Sequence, residues 1–86
     1  MNENKRINEV IKLYKANNLK KAKKEINRLL EKDKNSDFLN IKGIILRANN
    51  EPKESLISYN QAISINPSKA SYYNNRGNVY RELGNY

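Results

Sequence analysis

Glycine and flanking apolar residues recur at a spacing of about thirty-four along this chain, and no other feature constrains its fold as much. Gly43 and Gly77 stand 34 apart. So do Leu39 and Tyr73, and Leu46 and Tyr80. Within each trio the spacings are four and three, which place all three residues on one face of a helix. A second segment repeats as well: Ala22, Ile26 and Leu29 precede Ser55, Tyr59 and Ala62 by 33, one residue being absent near Lys34-Asn35-Ser36. A period of this length marks a stack of small units, none able to bury its apolar face alone.

Breakers divide the chain into five expected helices. The first is expected from about Asn4 to Ala16, with Ile7, Val10, Ile11 and Tyr14 on one face. Asn2 or Asn4 is the expected cap, and Glu3 suits the positive end of the helix dipole. The second is expected over about Leu19 to Asp33, with an apolar stripe of Leu19, Ala22, Ile26, Leu29 and Leu30. The third, about Asp37 to Ala48 behind a Ser36 or Asp37 cap, is apolar nearly all round, as a helix packed on two sides should be. The fourth opens on Pro52, which suits a first turn, and stops at Asn66 because the residue before Pro67 disfavours helical angles. The fifth is expected over about Lys69 to Leu83, capped by Ser68. Asn17-Asn18, Asn49-Asn50 and Gly84 offer left-handed helix stops. No period-two alternation signals a strand.

Short turns between helices force antiparallel neighbours. Gly43 and Gly77 are expected to let a partner helix approach closely, in equivalent surroundings, with Ala22, Ser55 and Ala62 doing the same from the other side. Gly77→Leu should then cost about 1–3 kcal/mol by overpacking. Tyr72, Val79, Tyr80 and Leu83 are the expected open apolar face of the fifth helix.

Tyr73, Gly77, Tyr80 and the Gly84-Asn85-Tyr86 turn resemble the first helix and turn of a tetratricopeptide repeat, with Arg76 where that family usually carries Leu. Ser55, Tyr59, Ala62 and Pro67 resemble its second helix and closing proline. The resemblance implies an all-α, right-handed α-solenoid of antiparallel helix pairs, five helices in one domain over 1–86. It would comprise a degenerate repeat at 1–35, a full repeat at 36–69 and the first half of a third at 70–86. Tyr86 falls where a sixth helix would begin. The expectation is therefore an N-terminal portion of a longer protein, or self-association through the open fifth helix.

The resemblance also implies a function: a scaffold whose concave groove, lined by helices one, three and five, binds a protein or peptide. The implied groove residues are Tyr14, Asn40, Arg47, Asn74, Asn75, Asn78 and Arg81. Asparagine suits such a groove because one amide both donates to and accepts from a peptide backbone. Asn75 also matches the carboxylate-gripping repeat of chaperone-tail binders. That pattern fails one repeat earlier, where Asn40 and Ile44 stand, so a two-carboxylate clamp is not expected.

The chain has no histidine and no cysteine, which removes the common proton shuttle, the thiol nucleophile and the usual zinc ligands. Gly43, Gly77 and Gly84 are too far apart to cradle a nucleotide. No catalytic residue, metal or cofactor is expected, and hence no enzyme. There is no apolar run long enough to span a membrane and no signal-peptide pattern, so the expected location is cytoplasmic. The net charge of +8 is uneven, with 11 basic and 5 acidic residues in 1–34. Abundant Lys, Asn and Ile also mark an AT-rich genome. The alternative function is binding of nucleic acid or another polyanion by Lys20, Lys21, Lys23, Lys24, Arg28, Lys32 and Lys34 on helix two. It is disfavoured because no aromatic is interleaved for base stacking.

Overall fold

A computed structural model describes residues 3–84. They form five helices: α1 (Glu3–Lys15), α2 (Leu19–Lys32), α3 (Ser36–Ala48), α4 (Pro52–Ile65) and α5 (Ala70–Glu82). The fold is all-α, with no strand among the described residues. Each boundary lies within one residue of the expected one.

The odd-numbered helices end alike. Asn17 (φ 60°), Asn50 (φ 61°) and Gly84 (φ 77°) adopt the left-handed conformation just past α1, α3 and α5. After α1, Asn17 N–H donates to Tyr14 O at 2.9 Å and Asn18 N–H to Leu13 O at 2.8 Å. After α3, Asn50 N–H donates to Arg47 O at 3.1 Å and Glu51 N–H to Leu46 O at 2.8 Å. Both are Schellman closures, which satisfy carbonyls a helix end would leave bare. The even-numbered helices stop differently: Asp33 turns extended after α2, and Asn66 leaves helical angles ahead of Pro67 after α4.

The helix starts depart from expectation. Asn35, not Ser36 or Asp37, caps α3, its Oδ1 accepting from Asp37 N at 2.8 Å and Phe38 N at 3.3 Å. Ser36 is already helical and so stands one residue too late to cap. Ser68 does not cap α5 either: Lys69 holds that position without a side-chain bond. The Ser68 hydroxyl donates to Asn66 Oδ1 at 3.0 Å instead. Asn4 lies inside α1. Asn2, Asn85 and Tyr86 lie outside the described residues.

The core runs along the stack. Val10, Ala22, Ile26, Leu29, Phe38 and Ile45 form one buried cluster joining α1, α2 and α3. Leu39, Ala62 and Tyr72 form a second that joins α3, α4 and α5. As its all-round apolarity requires, α3 touches α2, α4 and α5. The two copies of the small-residue segment are buried alike: Ala22, Ile26 and Leu29 in α2, and Ser55, Tyr59 and Ala62 in α4.

The two glycines are not equivalent, contrary to expectation. A Cβ on Gly43 would stand 2.4 Å from Tyr59 Cε1, because the α4 ring lies flat against the α3 backbone. Ser55 Oγ, one turn earlier, donates to Gly43 O at 2.7 Å. A Cβ on Gly77 would meet nothing within 4 Å. The overpacking expected of Gly77→Leu is therefore absent.

The open face of α5 departs from the expected one in part: Tyr80 and Leu83 are partly exposed, as expected, but two other residues are not. Tyr72 and Val79 are fully buried, since they face α3 and α4. The outward side carries Tyr73, 39% exposed, together with Arg76, Gly77 and Tyr80. Arg76 spans the Tyr73 and Tyr80 rings at 5.2 and 5.9 Å from their centroids. These distances suit cation–π attraction.

Candidate ligand groove

The groove begins with how α3 and α5 are joined. Three bonds between them share one sequence offset of 35: Tyr72 OH with Asp37 Oδ1, Asn75 Nδ2 donating to Asn40 Oδ1 at 3.0 Å, and Arg47 Nε donating to Glu82 Oε1 at 2.8 Å. A constant offset along both helices means that they run side by side in the same direction, one structural unit apart. The Arg47 bond is doubled by Nη2 to Glu82 Oε2 at 3.0 Å, a bidentate fork. Arg47 holds the Glu82 carboxyl below its ordinary range, chiefly through that hydrogen bond, and Glu82 raises Arg47 in turn. Burial, then Asp37, pushes the Tyr72 phenol up.

On the other side of α3, a recess of about 690 Å³ opens toward α1. That volume falls in the range of small-ligand clefts. Its apolar lining is Ile7, Ile11, Phe38 and Ile41. Asn4, Asn35 and Asn40 contribute amides, and Asp33 and Asp37 carboxylates. A smaller recess of about 190 Å³ is lined by Tyr14 of α1, Ile44, Arg47 and Ala48 of α3, and Glu82 of α5. The three odd-numbered helices thus share one surface.

The expected groove residues fall into three groups. Asn40 and Asn75 meet each other, as do Asn78 and Arg81. Arg47 is engaged by Glu82 beside the partly exposed Tyr14. Asn74 is exposed and has no side-chain partner among the described residues. Of the residues lining the larger recess, only Asn40 was among those expected; Asn4, Ile7, Ile11, Asp33, Asn35, Asp37, Phe38 and Ile41 were not. The polar ones among them sit at helix ends, where capping already accounts for such residues. Glu82 was missed too. The 35-residue offset linking it to Arg47 was the available signal.

The basic surface of α2 is less continuous than its sequence suggests. Lys23 pairs with Glu51, the residue before α4, at 3.1 Å, and Arg28 pairs with Glu25 at 3.2 Å. Asn49 and then Lys23 hold the Glu51 carboxyl low. Among the described residues, no group of three or more acidic, histidine or cysteine side chains could hold a metal ion. No described helix is long and apolar enough to cross a membrane.

A family model described as TPR repeat matches residues 43–84, which run from the socket glycine of α3 to the left-handed glycine after α5. No curated protein matches the chain.

Proposed function

We propose that this chain, whose residues 43–84 match a family model described as TPR repeat, is a non-catalytic scaffold that binds a peptide or protein segment along α1, α3 and α5. Repeats of this kind are protein-interaction modules. One observation supports the finer reading: Asn40 lines the recess between α1 and α3, and Tyr14 and Arg47 line the smaller one that also meets α5, whereas Asn74, Asn75, Asn78 and Arg81 lie on α5 outside both. In this reading the repeats divide at 1–35, 36–69 and 70–86. Asn40, Asn74, Asn75 and Asn78 meet the ligand backbone, while Tyr14, Arg47 and Arg81 meet its side chains. A cytoplasmic location accords with the lack of cysteine.

The test is a peptide selected from a displayed library against the intact chain, then titrated by fluorescence anisotropy. Asn74→Ala, Asn78→Ala and Arg81→Ala together should weaken it with helicity intact. Unchanged affinity in that triple variant moves the site elsewhere. Polyanion binding through α2 is the weaker reading, because Glu51 and Glu25 already take up two of its cations.

The vacant space over Gly77 favours one further contact. We propose self-association through the Tyr73, Arg76 and Tyr80 face of α5. Sedimentation should show a dimer that Gly77→Arg abolishes; a monomer at all concentrations contradicts it.

A further inference from the structure

The recess between α1 and α3 is acidic although the chain as a whole carries +8. Among the described residues, its two ionisable lining residues are both carboxylates, Asp33 and Asp37. Asp33 ends α2 in an extended conformation, so its backbone turns away from the helix axis. Its side chain is exposed and has no partner among the described residues. Asp37 offers one oxygen to Tyr72 OH and to Lys69 Nζ, the latter at 3.5 Å. Its Oδ2 has no partner among the described residues. Lys69 is the cation that faces this carboxylate, and it does not line the recess. Beside the carboxylates lies an aliphatic floor of Ile7, Ile11 and Ile41, all partly exposed.

We propose that this recess takes a peptide segment in which an aliphatic side chain stands next to a lysine or arginine. The inference rests on the groove reading above and names its ligand class. The aliphatic group covers Ile7, Ile11 and Ile41, removing apolar surface from water on both partners. The neighbouring cation reaches Asp33 and Asp37 at the rim. Charge complementarity of this kind sets partner choice more than raw affinity. The chain's overall charge acts the other way, because it attracts acidic ligands at long range. A preference for a basic peptide must therefore originate locally, within about 8 Å at physiological salt.

Two short probe peptides decide the matter, one alternating lysine with leucine and one alternating glutamate with leucine. Both are blocked at their ends, so that no terminal amine supplies the cation. Anisotropy at physiological salt should show the lysine peptide binding about tenfold more tightly. Asp33→Lys should weaken it a further three- to tenfold, roughly the effect of one or two rim charges. Glu54→Lys makes the same change of net charge on α4 and should have a much smaller effect. Circular dichroism and melting temperature confirm that both variants fold. Equal affinities, a preference for the glutamate peptide, no binding of the lysine peptide, or equal effects of the two variants would overturn the proposal. Should the library-selected peptide still depend on Asn74, Asn78 and Arg81 in that case, the groove reading stands and only the ligand class falls.

Discussion

Gly43→Ala and Gly77→Ala should change stability in opposite directions. Each exchange places a methyl in a helix interior, where alanine is favoured over glycine by about 0.8–1 kcal/mol. At Gly77 nothing lies within 4 Å of the new carbon, so that preference is realised in full. At Gly43 the carbon would stand 2.4, 2.7 and 2.8 Å from three ring atoms of Tyr59. Carbon atoms attract best at about 3.5–4.0 Å, so the overlap exceeds roughly 1 Å. Tyr59 is 1% exposed and cannot swing aside. Any shift of its backbone would also strain the Ser55 to Gly43 hydrogen bond. Overpacking of this kind costs about 1–3 kcal/mol, occasionally more, and the tight contact argues for the upper end. After the helix preference is subtracted, Gly43→Ala should lose about 2 kcal/mol. In a domain of this size each kcal/mol moves the melting temperature by about 4–8 °C. Thermal unfolding followed at 222 nm should show Gly43→Ala melting about 10 °C lower and Gly77→Ala about 5 °C higher. Equal shifts, or a stabilising Gly43→Ala, would refute the claim that Tyr59 fills a socket at one glycine and leaves the other empty.

Asn35→Ala should cost about 1 kcal/mol, since it removes the only side chain that caps α3, and urea melts would register it. Ser36→Ala, by contrast, should leave the cap intact and lower stability less. Ser55→Ala should lose about 1 kcal/mol through the buried bond to Gly43 O, and an unchanged midpoint would mean that this bond contributes nothing. The Glu82 carboxyl is held below its ordinary 4.5 by Arg47. Its contribution is therefore present above that pH and disappears as pH falls through the lower, folded-state value. The difference in melting temperature between the parent and Glu82→Gln should be small at pH 7 and should close on the acid side of 4.5. The Tyr59 phenol is shifted the other way, chiefly by burial. Stability should accordingly fall as pH rises past 10, and less so in Tyr59→Phe.

Helix positions were legible because their signals are local. Asn17, Asn50 and Pro67 act on their immediate neighbours, and the structure ends α1, α3 and α4 where they stand. The α3 cap was misplaced by one or two residues because Asn35, Ser36 and Asp37 are all good caps and only the backbone geometry chooses among them. The glycine period was legible, yet the surroundings of Gly77 were not. Spacing reports what kind of neighbour a residue suits, not what stands opposite it, and nothing lies within 4 Å of a Cβ on Gly77. Tyr72 and Tyr73 are adjacent and chemically identical, so composition could not tell which would be buried. The bond to Asp37 and the contact with Ala62 draw Tyr72 inward. In the groove, the resemblance pointed to polar residues of α3 and α5. It did not reveal that Arg47 is held by Glu82, nor that Asp33 borders the recess. Both depend on the side-by-side placement of helices about one period apart.

The most direct test of the groove follows backbone amide shifts of the 86-residue chain during titration with the library-selected peptide. Perturbed amides should cluster on α1, α3 and α5, around Ile11, Asn40, Ile41 and Asn75. Perturbations confined to α2 and α4, on the opposite side of the stack, would contradict it.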